Sequence, residues 1–205
     1  MANGLYTTEG FILSSREAGE AEKVVSVFTK EFGLLRLFAR GARKPQSKLN
    51  PYLNIFTHGR FGFVSGKDRW HLVDAEDILH FDGVLLGREA IELLGRAANF
   101  VERFHKGEIK DEVFWHIILS FVKFLDSAPR ETLQELEVVF YAKALLVLGY
   151  LDEEKLFLRL APEERAWAER VLEDNEFDKW FFPLPATLEK ELESDIARGV
   201  ELAKL

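Results

Sequence analysis

The chain has 205 residues, 47% of them hydrophobic and 30% charged, which is the balance of an ordinary globular protein with enough length for one large domain or two small ones. It contains no cysteine, which removes disulfides, thiol nucleophiles, iron–sulfur clusters and cysteine-based zinc sites from consideration. The net charge of −8 argues against a nucleic-acid partner until its distribution is read: residues 1–80 sum to +2 and residues 81–205 to −10. From Phe32 to Lys67 there are seven cations (Arg36, Arg40, Arg43, Lys44, Lys48, Arg60 and Lys67) and no acid. A solvated face with a chance excess of one sign would also produce that stretch.

The first 80 residues read as short β-type runs separated by turn residues. Gly10–Ser14 makes a first strand, Lys23–Thr29 a β-branched and aromatic second, and 34–40 a third between Gly33 and Gly41. A loop with two prolines, Pro45 and Pro51, cannot continue a strand interior. Leu53–Val64 reads as a longer strand or hairpin arm, and Trp70–Ala75 closes the set. Five short strands predict a small antiparallel barrel, and five is the strand count of an OB fold. Within 34–40, alternation places Leu35, Leu37 and Ala39 on the core face and Arg36, Phe38 and Arg40 on the other.

After Asp82 the apolar period changes to three- and four-residue steps, from Leu85 to Phe104. Asp82 is a candidate cap with Gly83 in the first turn. A second helix is expected over 111–126, a third from Ala128-Pro129 to Gly149, and further helices over 163–173 and 186–205. Strands first and helices after define an α+β chain, with a five-stranded OB-fold nucleic-acid-binding domain over 1–80 and an all-helical domain over 81–205. The apolar runs Val113–Leu125 and Leu136–Leu151 are short and carry Lys123 and Lys143, which fits buried helices better than membrane spans of about 20 residues. No secretory signal is apparent, so a cytoplasmic, nucleoid-associated protein with no membrane partner is expected.

Enzyme signatures fail by spacing. The segment before Lys67 lacks the first glycine of a phosphate loop, since Phe61 stands there, and Asp68 replaces the magnesium-binding hydroxyl. His58, His71, His80, His105 and His116 show no i,i+4 pair. Asp74, Glu76 and Asp77 form a carboxylate cluster that reads as a solvated turn before it reads as a metal site. No catalytic residue, metal or cofactor is therefore expected. The outward Arg36, Phe38 and Arg40, extended by Arg43, Lys44 and Lys48, form a candidate DNA-binding set: cations for phosphates and a ring on which a base can stack. Packing against the helical domain is an equally good fate for Phe38.

The ordered elements Gly10-Phe11-Ile12-Leu13, Gly19-Glu20, Lys23-Val24-Val25, Phe28-Thr29 and Gly33 to Gly41, with Arg36 and Arg40 inside the last, resemble the N-terminal domain of the RecO family of recombination mediators. The HGRFGF segment at His58–Phe63 and the helix end at Ala144–Leu151 also fit, so the resemblance spans roughly residues 8–151. It implies an OB fold followed by helices in a protein that binds single- and double-stranded DNA, anneals complementary strands and helps load recombinase on strands coated by single-strand-binding protein. It implies RecR and the acidic C-terminal tail of single-strand-binding protein as partners, and it carries the family's DNA-contacting cations onto Arg36 and Arg40. Arg130, Lys123 and Lys143 are candidates, by charge alone, for the tail site. Many members of the family carry a four-cysteine zinc module after the Gly-Tyr-Leu helix end; here Gly149-Tyr150-Leu151 is followed by a cysteine-free segment. The residues alone equally admit a generic OB-fold binder of single-stranded DNA or RNA, or a protein-interaction module.

Overall fold

A computed structural model describes residues 4–82, 87–105, 107–174, 176–177 and 183–202. The expected helix start at Gly83–Leu86 and the last residues of the C-terminal helix, 203–205, lie outside them. The chain forms two compact units, Met1–His80 with Ala98–Glu112, and Phe81–Ala97 with Val113–Leu205. Residues 98–112 thus belong with the barrel, and not with the helical domain to which their apolar period assigns them.

The first unit is built on five strands: β1 (Leu5–Ala18), β2 (Glu22–Thr29), β3 (Gly33–Ala39), β4 (His58–Ser65) and β5 (Trp70–Leu79). They close a barrel in the order β1-β2-β3-β5-β4, all neighbours antiparallel except the short β3–β5 pair. This is an OB-fold barrel. Closure leaves no sheet edge, and alternation fills the interior with Ile12, Val25, Val27, Leu35, Leu37, Ala39, Phe61, Phe63, Leu72 and Ala75. Tyr6, Phe32 and Trp70 meet Phe63 ring to ring, and the Trp70 indole donates to the Glu108 carboxylate at 2.8 Å. Burial pushes the His105 imidazole below its usual range, against the opposing pull of Asp111.

The strand expected over Leu53–Val64 begins only at His58. Pro51 sits in a single 3-10 turn, Asn50–Tyr52, and Phe56 takes φ of 71°, which no strand tolerates. This irregular segment instead bonds β1 at its bulge: Phe56 N–H donates to the Ile12 carbonyl at 2.8 Å, and Ile12 N–H to that of Thr57 at 3.1 Å.

Gly33 opens β3 where no other residue would fit. Its φ is +65°, and an added Cβ would lie 2.2 Å from the Ile109 carbonyl oxygen. Leu34 N–H also donates to the Gly107 carbonyl at 3.2 Å, so the 98–112 segment is stitched to the start of β3. Gly33→Ala is expected to destabilise the barrel unit by about 2 kcal/mol or more, combining a left-handed backbone with a backbone clash. Urea denaturation checks this; unchanged stability contradicts it.

The second unit is helical. α1 (Arg88–Phe104) gives it residues 88–97, followed by α2 (Glu112–Leu125), α3 (Leu133–Val147), α4 (Glu153–Phe157), α5 (Pro162–Glu173) and α6 (Ala186–Leu202). Pro129 does not begin α3 as expected; it precedes a 3-10 turn, Arg130–Thr132, that leads into it. α3 is the centre of this unit, with Leu136, Val139, Phe140, Ala142, Ala144 and Leu145 almost wholly buried. Arg96 on α1 holds Glu137 on α3 through two bonds of 2.6 Å, and Glu137 in turn accepts from the Tyr141 hydroxyl at 3.1 Å. Gly149 ends the α3 region at φ 76°. Asp152 then caps the unforeseen short helix α4 by accepting from Lys155 N–H at 3.1 Å, and α5 follows, so the segment after Leu151 is helical. Among the described residues, no helix is long and apolar enough to cross a membrane.

Candidate nucleic-acid interface

β3 carries its side chains as alternation requires. Leu35, Leu37 and Ala39 are fully buried in the barrel, Arg36 and Arg40 are exposed, and Phe38 is half-buried on the outer face. Register with β2 sets Arg36 opposite Ser26 and Phe38 opposite Val24, and register of β2 with β1 continues these rows to Ser14 and Arg16. The bulge in β1 between Ile12 and Ser14 turns Ser14 and Arg16 outward, so the outer face gains a third exposed cation, Arg16.

The other end of that face is covered by the barrel unit's own 98–112 segment. Ser14 donates to Glu102 at 2.6 Å, Phe28 meets His105 edge-on at 4.8 Å, and Gly33 abuts Ile109. What stays open is the half bearing Arg16, Arg36, Phe38 and Arg40.

The loop after β3 divides the remaining candidates. Successive tight turns, Lys44 N–H to Gly41 and Ser47 N–H to Lys44, leave Lys44 and Lys48 pointing to solvent. Arg43 is engaged instead. Its guanidinium donates to the Gly19 and Glu20 carbonyls at 2.9 and 3.3 Å and pairs with Glu17 at 2.8 Å, which ties this loop to the β1–β2 turn. Among the described residues, none of Arg16, Arg36, Arg40, Lys44 and Lys48 forms an ion pair. Their charge is available to an outside anion, as that of Arg43, or of Arg60 paired to Glu76 at 2.7 Å, is less so.

Phe38 has a partner that strand alternation could not supply. Arg69, from the β4–β5 turn, lies with its guanidinium 4.5 Å from the ring centroid. Arg16 and Arg69 are the cations of this face that sequence reasoning did not place there. Arg16 follows from the bulge, and Arg69 from the parallel pairing of Phe38 with His71, neither of which has a local signal.

In the helical unit the three cations considered for a peptide site separate. Lys123 and Arg130 are exposed, whereas Lys143 is 1% exposed and donates to the Asp174 and Glu176 carbonyls. Lys143 therefore cannot serve as a rim cation. It is an internal clamp. Arg130 lines a cavity of about 130 Å³ with Glu89, Leu125 and Leu133.

An OB barrel with an open, cation-bearing strand face is the architecture of the oligonucleotide- and oligosaccharide-binding class. Within it, residues 1–77 match the family described as recombination protein O, N-terminal. The chain is 30% identical over 157 residues to the DNA repair protein RecO of Thermodesulfovibrio yellowstonii, covering 73% of this chain and 60% of that one. It is 35% identical over 145 residues to the DNA repair protein RecO of Bacillus cytotoxicus, at 69% and 56%, and 24% identical over 148 residues to that of Halalkalibacterium halodurans, at 72% and 58%. The first 77 residues therefore match the N-terminal domain of the RecO family, and the chain is similar to RecO proteins over about 70% of its length. It spans about three-fifths of the length of these relatives.

Proposed function

We propose that this protein is a DNA repair and recombination mediator that works by binding rather than by catalysis. It holds single- and double-stranded DNA on the open half of the outer face of β1–β3, anneals complementary strands, and helps load recombinase on strands coated by single-strand-binding protein. The observation that carries this reading is the set of exposed cations that form no ion pair among the described residues, Arg36, Arg40, Lys44 and Lys48, beside the half-buried ring of Phe38 on an OB-fold strand face. The relatives named as DNA repair proteins support it. On the same reading RecR and the acidic tail of single-strand-binding protein are its protein partners, the tail finding its cations among exposed residues such as Lys123 and Arg130 and not at Lys143.

Annealing of complementary oligonucleotides, bare and precoated with single-strand-binding protein, tests the reading. Acceleration of both is expected, and failure to bind any nucleic acid at low salt overturns it. Affinity for single strands should fall with salt. Three to five engaged phosphates give a log–log slope of roughly −2 to −3.5, at about 0.7 per phosphate. A salt-independent affinity contradicts the proposed site.

A further inference from the structure

Arg69 differs from the other cations on the open strand face in being held at both ends. The β4–β5 turn that carries it is closed by the Gly66 N–H, which donates to the Arg69 carbonyl at 2.8 Å. That turn is tight enough that a Cβ on Gly66 would lie 2.7 Å from the His71 ring and 2.8 Å from the Arg69 carbonyl oxygen. The Arg69 side chain reaches back over the barrel so that its guanidinium covers the Phe38 ring at 4.5 Å, and Glu22 at the start of β2 stands 3.8 Å from it. Two attractions thus place a cation on the surface that a nucleobase needs. Neither is strong. An exposed cation–π contact and a long, solvent-reached ion pair are both weak enough for a stacking base to displace.

We propose that Arg69 is a further nucleic-acid-binding residue, stored over Phe38 in the free protein and transferred to a backbone phosphate when a base takes its place on the ring. This rests on the strand-face reading above and deepens it. The barrel exchanges one cation–π contact and the Glu22 pair for a base stack and a phosphate contact, so that ring and guanidinium are both used when a single strand is bound. Glu22 acts as the latch, holding the guanidinium back and setting how readily the ring is uncovered. A duplex, whose bases are already stacked, cannot make the exchange, so Arg69 discriminates in favour of single strands.

The test is titration of full-length protein with a fluorescent oligothymidine across a salt series, for wild type, Arg69→Gln, Arg69→Lys, Glu22→Gln and the Arg36→Glu/Arg40→Glu pair, with melting temperatures to show that each is folded. Affinity alone is ambiguous for Arg69→Gln, because that variant both uncovers Phe38 and loses a cation. The salt slope is not ambiguous. It should become shallower by about 0.7, one phosphate fewer, while Arg69→Lys retains the wild-type slope because a point charge suffices at a phosphate. Glu22→Gln should bind tighter, by up to about fivefold, the ceiling for releasing an exposed ion pair. An unchanged slope in Arg69→Gln overturns the proposal while leaving the strand-face site standing if the Arg36→Glu/Arg40→Glu pair still abolishes binding. Should Arg69→Lys behave like Arg69→Gln, the transfer to phosphate is wrong and a stacked guanidinium replaces it. Unchanged or weaker binding by Glu22→Gln removes the latch. Wild-type binding by the folded double reversal overturns the underlying site and this proposal with it.

Discussion

Replacing Arg36 and Arg40 together by glutamate is expected to abolish DNA binding and annealing and to leave the barrel folded. Both side chains are exposed on the outer face, whereas their neighbours Leu35, Leu37 and Ala39 are fully buried, so the substitutions leave the core untouched. Neither arginine holds an ion pair among the described residues, and Arg36 faces only Ser26 across the β2–β3 ladder, so no partner is orphaned by the change. Removing two phosphate-binding cations, at about 0.7 each in the salt exponent, costs about 25-fold in affinity at 0.1 M salt, and the two new negative charges add repulsion. Phe38→Ala complements this pair. If a base stacks on the ring, the loss should be about 1–3 kcal/mol for single strands and less for duplex. A ring that serves only packing predicts instead a lowered melting temperature with little change in affinity. Binding and melting measured on the same variants separate these outcomes, and wild-type affinity in the folded double reversal overturns the site.

The facing of β3 was legible because period-two alternation needs only local information, and burial along Gly33–Ala39 alternates without a break even though Leu34 and Phe38 put apolar side chains on the outer face. The same logic failed over Leu53–Thr57, where Pro51 and the left-handed Phe56 divert the chain to seal the β1 bulge. The end of the barrel unit was missed for a related reason. α1 keeps one helical period through residues 88–104, and nothing in that period marks residue 98 as the point where the packing partner becomes the barrel. On the candidate face, local reasoning turned Arg36 and Arg40 outward, as the strand has them, but grouped Arg43 with them, because charge carries no record of the Glu17 carboxylate and the carbonyls that engage it. Arg69 was out of reach. Its place over Phe38 depends on the two-pair parallel contact of β3 with β5, across more than 30 residues of chain.

The helical unit should become more stable as pH rises from about 8 to 10, the opposite of what a lysine in an ordinary ion pair would give. Lys143 lies on α3 among fully buried side chains, 1% exposed, with Nζ donating to the carbonyls of Asp174 and Glu176 at 2.5 and 2.7 Å and resting 4.6 Å from the Phe177 ring centre. Burial pulls its pKa down from 10.5 to about 8, only partly opposed by the Asp174 and Glu176 carboxylates. In the unfolded chain the amine holds its proton up to its ordinary pKa, so between about pH 8 and 10 the unfolded state binds more protons than the folded one, and stability rises with pH there. The span is about two units, hence about 2 to 3 kcal/mol. Above pH 10 the trend reverses, because burial beside Glu137 raises the Tyr141 hydroxyl pKa and so keeps that proton in the folded state after the unfolded chain has lost it. Lys143→Met keeps the apolar stem, removes the titration and leaves two carbonyls without their donor. It should therefore be flat with pH over that window and lie below wild type by about 2 kcal/mol or more at pH 9.5. Urea denaturation followed by helical circular dichroism at pH 7.5 and 9.5 measures both. Parallel pH dependence in wild type and Lys143→Met would show that the rise comes from some other group and that the buried amine is not what anchors the end of α5 to α3.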